Sequence, residues 1–570
     1  MVFTLGRPYR QHGFMTLVMF GAAAAVSAQT PPNIPDAGTL QREAERDLRR
    51  PVPAPQLLAP PVPMKQAAKG VTVTVKSFSI EGATLVPAAE LGALLNDQVG
   101  KSLTFTDLEQ AAQRLAEHYR TLGWFARVYL PEQDITSGVV RIVVIEGRLG
   151  AVQIDKSQAM RADADFVNEM VTADMPIGQP LAAVTLERNL LLANDLSGIR
   201  TTGILEAGDK IGETRLNIKV EDTNFVTGDL GLNNQGVKAT GVMQLSGGLA
   251  LNDLSGRGDR LDARALVANN LNSVRVSYGV PLAANGTRLN LRLSELTYHL
   301  GDRFAALDAK GRASSGGADI SYPIVRSQDS NLNLSGGLDA RRSADDSLGI
   351  AIRRHNVDAL NFTLSGDEID GWQGGGLTQY AVGFVHGKLD LNGIATDLAA
   401  DQNLKAQGTY NKLSGQALRL QRLDGDFTLS LKLAVQWADK NLDSSEQMSL
   451  GGPAGVRAYP VNEANGDEGW LMKVELRRPI ADGWQAFGFL DSGNIRLHRN
   501  PWPGIGNTPN SYQLSGAGIG VAWNRPGDWN IALTIATPLG SNAGRDVNGN
   551  NSDGSGQHST RAWLDASKLF

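Results

Sequence analysis

The sequence predicts a membrane β-barrel of about 16 antiparallel strands, preceded by two α+β domains and an N-terminal helix. From residue 223 onward, apolar and polar residues alternate over segments of about ten residues, the length that a strand needs to cross an outer membrane. Residues 71–222 instead carry two similar series of helix and strand patterns. Because the chain has no cysteine, cores and hydrogen-bond ladders must hold the fold together.

The first 28 residues have the pattern of a secretory signal peptide. Arg7 and Arg10 give a basic start, and an apolar run over 14–25 leads to Val26-Ser27-Ala28, with cleavage predicted after Ala28. A transmembrane anchor is the alternative, but the run is too short to span a bilayer. No other segment has about 18 consecutive apolar residues, so the sequence predicts no transmembrane helix.

Residues 29–50 contain a predicted helix over 36–50. Leu40, Ala44 and Leu48 recur every four residues and form a narrow apolar stripe, while charged residues cover the other faces. Such a helix is too polar for lipid but suits a polar cavity; a solvated, half-formed helix is the alternative. Residues 51–70 are Pro-rich and predict a stiff, extended linker.

The segments 71–148 and 149–222 predict two α+β domains with the same order of elements. The first is expected to hold the strand Val71–Ile80, the helices Ala88–Leu95 and Thr106–Leu122, and the strands Phe125–Pro131 and Val139–Glu146. The second is expected to hold the strand Ala151–Ile154, the helices Asp163–Thr172 and Thr185–Leu196, and the strands Ile199–Glu206 and Thr214–Val220.

The predicted barrel covers 223–570. Its alternation is clearest over 427–437, where large apolar side chains alternate with polar or small ones, as lipid-facing and lumen-facing residues do. Long loops are expected at 440–467 and 538–559, in contrast to a tight turn at Gly425. A large secreted β-solenoid or β-sandwich is the alternative. Tryptophans near proposed strand ends predict an aromatic girdle: Trp437, Trp470, Trp484, Trp502, Trp523, Trp529 and Trp563.

The sequence offers little to support an enzyme. It has no G-x-S-x-G elbow, phosphate loop or H-E-x-x-H motif, and its seven histidines are scattered. Without cysteine there is no thiol chemistry and no thiolate metal site. A net charge of −5 gives no reason to expect nucleic acid as a partner. We therefore expect no catalytic residues, no cofactor and no metal.

The order of these parts resembles the ShlB/FhaC/HecB family, the transporters of two-partner secretion. That family combines a signal peptide, a plug helix, a linker, two periplasmic POTRA domains and a barrel. The sequences PEQDI at 131–135 and VVIEGRL at 143–149 resemble the closing strands of its first POTRA domain. The sequence LERNLLL at 186–192 resembles a helix of its second POTRA domain. The resemblance therefore implies POTRA domains at 71–148 and 149–222 and a plug helix within 29–50.

Two barrel motifs extend the resemblance. Leu450-Gly451-Gly452 with Val456-Arg457-Ala458-Tyr459 resembles the family's inward-folded loop, expected near 447–467, and its VRGY tip, with alanine in place of glycine at 458. Phe489-Leu490-Asp491-Ser492-Gly493 matches the F-x-D-x-G strand motif. The resemblance implies that Arg457 pairs with Asp491 and holds the loop in the lumen, where a guanidinium needs a carboxylate partner. Two independent charges in a wet pore are the alternative.

The C-terminal strand resembles the family less closely. Family barrels end in a strand with a terminal aromatic residue that the barrel assembly machinery reads. Phe570 fits this closing signal, and Trp563–Phe570 is the expected closing strand. Lys568 stands where an apolar residue is usual.

The resemblance implies a transporter in the bacterial outer membrane, with its POTRA domains in the periplasm. It would recognise a large TpsA-type exoprotein there and secrete it through the barrel without nucleotide hydrolysis. The expected partners are this exoprotein, outer-membrane lipids and the barrel assembly machinery, and the chain is expected to be a monomer. An assembly factor of the same superfamily and a diffusion porin are the alternatives. The exoprotein could be an adhesin, a haemolysin or a contact-dependent toxin.

Overall fold

The computed structural model describes residues 34–48, 72–210, 212–503 and 509–570. The predicted signal peptide (1–28), the linker (51–70) and the last two residues of the predicted N-terminal helix lie outside these ranges. Among the helices that the structure describes, none is long and apolar enough to cross a membrane.

The N-terminal helix α1 (Ala37–Asp47) is shorter than predicted. It begins at Asp36, whose side chain accepts a hydrogen bond from the backbone N–H of Thr39 and so caps the helix. Leu40, Ala44 and Leu48 are buried along one side, as the four-residue spacing predicts.

The first α+β domain consists of β1 (Thr72–Thr74), β2 (Ser77–Glu81), α2 (Ala88–Ala93), β3 (Ser102–Thr104), α3 (Phe105–Thr121), β4 (Ala126–Tyr129) and β5 (Val139–Glu146). Its three-stranded sheet has the order β2–β5–β4, with α2 and α3 packed through Leu91 and Leu115. The prediction of one strand over Val71–Ile80 is wrong. The chain changes partner at Val75, because β1 pairs with β3 whereas β2 pairs in parallel with β5.

The second α+β domain repeats this arrangement with β6 (Arg148–Gln158), α4 (Ala164–Thr172), α5 (Ala183–Asn194), β7 (Ile199–Ala207) and β8 (Glu213–Asp222). Its sheet has the order β6–β8–β7, and β6 and β8 run in parallel. Every predicted element of this domain is present, with ends that differ by a few residues.

The barrel is a closed antiparallel sheet of 16 strands, which confirms the predicted fold class. The first nine strands are β9 (Val226–Asn233), β10 (Gln244–Asn252), β11 (Arg260–Ala268), β12 (Leu271–Pro281), β13 (Arg288–His299), β14 (Lys310–Arg326), β15 (Ser330–Ser347), β16 (Ile350–Asp370) and β17 (Gly376–Asp390). After the loop helix α6 (Ala395–Leu404) come β18 (Gly408–Arg422) and β19 (Thr428–Ala438).

A long loop follows β19 and contains the two-residue strands β20 (Met448–Ser449) and β21 (Asn465–Gly466), which pair with each other. The barrel then continues through β22 (Glu468–Ala481), β23 (Trp484–Arg496), β24 (Ser511–Asn524), β25 (Trp529–Pro538) and β26 (Arg561–Leu569). Pairing of β26 with β9 closes the sheet.

Exposure along the barrel strands is the reverse of that in a soluble protein. Leu291 and Leu293 are 42% and 67% exposed on the outer face. Asp229 and Arg264 are buried in the lumen, where they form an ion pair at 2.6 Å. An apolar outer face and a polar interior are what a lipid bilayer requires of a barrel.

The tryptophans fit the predicted girdle in part. Trp437, Trp470, Trp484 and Trp529 are exposed, and the Trp523 ring lies 6.3 Å from that of Trp484. The prediction is wrong for Trp502, which lies in a loop with its ring 4.8 Å from that of His498. It is also wrong for Trp563, which points into the lumen. There it is buried, and its indole N–H donates to the backbone carbonyl of Arg457.

The closing seam between β9 and β26 is short. Its register runs from the pair Asn233 and Asp565 to the pair Asp229 and Leu569. Beyond Asn233 the backbone N–H of Asn234 still donates to the Leu564 carbonyl at 3.3 Å, and its side chain makes two further bonds. It accepts from the backbone N–H of Leu564 at 2.8 Å and donates to the carbonyl of Ala562 at 2.9 Å. An amide side chain thus completes the hydrogen bonding where β9 has ended.

The second α+β domain is docked on the turns at one end of the barrel. The Arg326 guanidinium at the end of β14 forms two hydrogen bonds of 2.8 Å with the Asp195 carboxylate at the end of α5. Arg188 of α5 also donates to the carbonyl of Pro323 at 2.9 Å. This end therefore faces the two α+β domains, and the long loops lie at the opposite end.

Candidate functional site

The tip of the long loop after β19 is buried inside the barrel. Val456, Ala458 and Tyr459 are each fully buried, and Arg457 is 7% exposed. A backbone hydrogen bond of 3.1 Å from Tyr459 N–H to the Val456 carbonyl closes the tip as a turn. Ala458 has no left-handed backbone; among the described residues of this loop, the non-glycine with positive φ is Asn462 at 63°.

Arg457 contacts the carboxylates of two neighbouring strands. Its Nε and Nη2 atoms each donate to the Asp491 carboxylate of β23 at 2.8 Å, and its backbone N–H adds a bond of 3.1 Å. Its Nη1 atom donates to Glu475 of β22 at 2.6 Å. A bidentate pair fixes both the distance and the orientation of the guanidinium, so the loop tip has one position against this wall.

The strand motif that carries Asp491 points into the lumen as a unit. Phe489, Asp491 and Gly493 alternate on one face of β23, as a two-residue period requires. The Phe489 ring lies under the guanidinium, with 3.4 Å between the Arg457 Cζ atom and the ring centroid. A Cβ on Gly493 would lie 2.8 Å from a methyl group of Leu450, so glycine leaves room for the loop. Phe489 thus stacks on the Arg457 guanidinium, Asp491 pairs with it, and Gly493 leaves room for the loop.

Two members of this site were missed by sequence reasoning. Glu475 alternates with Arg477 along β22 and looks like any other lumen charge. Trp563 of β26 donates its indole N–H to the Arg457 carbonyl at 2.7 Å, and its place near a strand end suggested a lipid-facing role instead. A third contact is steric: a Cβ on Gly516 of β24 would lie 2.4 Å from the Cβ of Ala458. The alanine that replaces the family's glycine therefore packs where β24 offers a glycine.

Helix α1 lies in the lumen beside this loop. Its apolar stripe packs on Leu266 and Leu296 of the barrel wall and on Phe304, which lies in the loop between β13 and β14. On its polar side, Glu45 accepts hydrogen bonds from Ser294 at 3.0 Å and Ser315 at 3.1 Å. The helix thus faces wall residues on two sides, and with the loop it occupies the space that the strands enclose.

The C-terminal residue pairs with the first barrel strand. Phe570 exchanges two backbone hydrogen bonds with Gly228, at 2.8 and 2.9 Å, and a Cβ on Gly228 would collide with the Phe570 ring. Lys568 forms an ion pair with Asp528, and its ammonium lies 5.0 Å from the centroid of the Trp529 ring. These partners account for a lysine where the family usually has an apolar residue.

The lumen carries many charges, but within the described ranges no three histidine, aspartate or glutamate side chains gather as a metal site would need. Lumen charges pair with each other instead, as the half-buried Arg292 does with Asp319 and with Asp339. The charged groups of the lumen are therefore arranged as structural ion pairs, which can hold the loop against the wall.

Comparisons with known proteins agree with this geometry. The chain is 26% identical to the heme/hemopexin transporter protein HuxB of Haemophilus influenzae over 554 residues, 94% of this chain and 95% of the relative. It is 26% identical to the outer membrane transporter CdiB of Escherichia coli over 471 residues, 78% of this chain and 74% of the relative.

Among solved structures, the match to CdiB from Escherichia coli covers 93% of this chain and 96% of the CdiB chain, with a TM-score of 0.66 at 21% identity. CdiB from Acinetobacter baumannii covers the same share with a TM-score of 0.60 at 15% identity. These likenesses concern the fold. A family model for the ShlB-type POTRA domain matches residues 73–147, and the model for haemolysin secretion/activation protein ShlB/FhaC/HecB matches residues 212–523. The chain belongs to the ShlB/FhaC/HecB family of haemolysin secretion/activation proteins.

Proposed function

We propose that this chain carries a large exoprotein from its periplasmic domains through the barrel lumen, and that α1 and the inward loop are the two elements that close this route. Family membership makes the chain an outer-membrane transporter of two-partner secretion, with POTRA domains in the periplasm and an exported protein as its partner. It also favours this reading over an assembly factor. The relatives are transporters, and the proposal contains no catalytic step.

The observation that carries the proposal is the contrast between the two elements in the lumen. The loop tip is held by a bidentate pair between Arg457 and Asp491, both almost completely buried. Helix α1 is held by a narrow apolar stripe and by single polar contacts, among them one hydrogen bond of 2.6 Å from Arg353 of β16 to the capping residue Asp36. We propose that α1 leaves as a plug while the loop stays anchored, and that 71–148, 149–222 and 223–570 act as the two POTRA domains and the barrel.

Client recognition fits the open edges of the periplasmic sheets. In the first domain β2 and β4 are edge strands, and in the second β6 and β7 are. An unfolded client can add a strand to such an edge through main-chain hydrogen bonds. Folding of the client outside the cell then supplies a drive without nucleotide. We propose a monomer that the barrel assembly machinery inserts through its closing strand and Phe570.

Deletion of residues 36–50 tests the plug. Single-channel conductance in planar bilayers should rise, because the deletion removes α1 from the lumen. The deletion variant must still shift on a detergent gel when boiled, which shows that the barrel is intact. Wild-type conductance in an intact variant would contradict the plug role.

Arg457→Ala tests the loop anchor. Export of the client should fall at least about tenfold at matched membrane levels, because a buried carboxylate left without its partner costs a few kcal/mol. Asp491→Ala should behave alike, and the double variant should be no worse than either single one. Arg477→Ala is the matched control, since Arg477 also bonds Glu475 but belongs to the wall. If the two single defects add, Arg457 and Asp491 act independently.

A further inference from the structure

The root of the inward loop carries a second buried ion cluster, separate from the tip. Glu446 lies in a short 3-10 turn, Ser444–Glu446, and is 1% exposed. Its carboxylate accepts from Arg341 of β15 at 2.9 Å and forms an ion pair with Lys412 of β18. The carboxylates that hold the tip stand on β22 and β23. The loop is therefore fixed to two different sectors of the barrel wall.

The same root contacts α1 on both sides of Glu446. The Ser444 hydroxyl donates to Asp36, the capping residue of α1, at 3.0 Å. The Gln447 carbonyl accepts from Arg42 of α1 at 3.0 Å. Arg42 also donates to the side chain of Asn462 at 2.9 Å. Asn462 lies on the segment of the loop that returns from the tip. The polar contacts of α1 with the loop thus lie at its root and on the segment that returns from the tip, whereas the Arg457 side chain contacts the wall.

Charge fixes the position of the turn. A carboxylate that is buried to this degree is stable only with close cations, and here two of them hold its two oxygens. The turn backbone is also held, because the Gln436 side chain of β19 donates to the Glu446 carbonyl at 3.0 Å. The residues on either side of Glu446 therefore present the Ser444 hydroxyl and the Gln447 carbonyl at fixed places in the lumen.

We propose that Glu446 is a positioning residue for the plug: clamped by Arg341 and Lys412, it holds the loop root in the shape that grips α1, and this grip is independent of the anchor at the loop tip. The inference rests on the proposed plugging role of α1. Helix α1 leaves by breaking its bonds to the loop and to Arg353 of the wall, while Arg457 keeps the tip on β22 and β23. Loss of the charge at Glu446 weakens the grip, since both cations then lose the anion that they share.

The test uses a single cysteine as a reporter, which is feasible because the natural chain has none. Thr39→Cys places the thiol on α1 at a position that is 2% exposed. The label is a membrane-impermeant maleimide added outside intact cells. With Glu446→Gln the labelling rate should rise about tenfold, and with Ser444→Ala, which removes one bond only, by about threefold. Glu446→Asp, which keeps the charge, should restore slow labelling.

Two further variants show whether faster labelling comes from the loop root itself. Glu468→Gln is the matched control, because Glu468 also pairs with two arginines, Arg496 and Arg499, but lies outside the contacts of α1. It should label at the original rate. Arg457→Ala should also leave labelling unchanged. Equal labelling of Glu446→Gln and the parent overturns the proposal, and so does fast labelling of Arg457→Ala.

A variant that does not fold is recognised by the loss of its shift on a detergent gel. If Glu446→Gln does not fold, Ser444→Ala, which keeps every charge, is the deciding variant. Unchanged labelling of Ser444→Ala then overturns the proposal. Failure of the plug role itself gives a different result. In that case deletion of 36–50 leaves single-channel conductance unchanged, whereas failure of the Glu446 inference leaves the conductance increase of that deletion intact.

Discussion

The two periplasmic domains share one topology but are joined to the rest of the molecule by different means. The first is joined to the second by main-chain hydrogen bonds, from Ala183 N–H to the Gly123 carbonyl at 2.7 Å and from Leu181 N–H to the Gly147 carbonyl at 2.9 Å, and by Phe125, which packs on the core of the second. The second domain contacts the barrel through main-chain hydrogen bonds and also through the ion pair between Asp195 and Arg326. Substitution of a charged side chain should therefore loosen the second joint, whereas the first depends on backbone hydrogen bonds and apolar packing.

The largest effect is expected at Glu146, the residue before the first joint. Its carboxylate is buried and accepts from the backbone N–H groups of Thr84 at 2.7 Å and Leu85 at 2.6 Å, and from the Tyr119 hydroxyl at 2.9 Å. Glu146→Ala leaves these donors unsatisfied and should cost the first domain about 3 kcal/mol.

Hydrogen exchange on the full-length protein measures this effect. Peptides from β4 and β5 should lose protection, while those from β7 and β8 keep it. Glu90→Ala, at an exposed ion pair of the same domain, is the control. Loss of protection in both domains at once would show that the two do not unfold separately.

Acid should act on the same residue. Burial raises the pKa of Glu146, but hydrogen bonds from Leu85 and Thr84 outweigh it and hold the pKa below its ordinary value. A depressed pKa contributes stability above the unfolded pKa, and this stability is lost as pH falls through the folded pKa. Protection of β4 and β5 should therefore fall below about pH 4.5, and the Glu146→Ala variant should lack this part of the pH dependence.

A smaller effect is expected at the second joint. Asp195→Ala removes the bidentate partner of Arg326, and because Asp195 is about one-third exposed the loss should be about 1 kcal/mol. Hydrogen exchange should rise at the C-terminal end of α5 and leave the first domain unchanged. Asp209→Ala, at the exposed ion pair with Arg215, is the control and should change neither.

The smallest effect is expected from Ala183→Pro. Ala183 is the first residue of α5, where proline is tolerated, and Ala182 has the extended backbone that proline requires of its predecessor. The substitution therefore removes one neutral hydrogen bond between the domains, worth about 0.5 kcal/mol. Labels on the two domains should show a broader distance distribution. Ala164→Pro, at the start of α4, is the control, and an equal broadening there would mean that helix strain is the cause.

Periodicity predicted the elements of both domains and of the barrel, because one side of each faces a core or lipid. It failed at Val75, where two short strands share one alternating run and the break depends on which partner is near. It also failed at Trp563, since only the bound carbonyl of Arg457 shows which way the indole points. The contact between Arg457 and Asp491 was expected from motif resemblance, and spacing alone would not have paired residues on a loop and a strand.

The short seam has a consequence for the order of assembly. Asn234 and Ala562, which bond across it, stand 328 residues apart, whereas the other barrel strands pair with neighbours close in sequence. Contacts between distant residues form late, because loop closure must be completed before they contribute. The last ladder to form is thus a short one, and an amide side chain completes it. Until this seam forms, the backbone groups at the edges of β9 and β26 lack partners that lipid cannot supply, so closure of the seam should be the step that makes the inserted barrel stable.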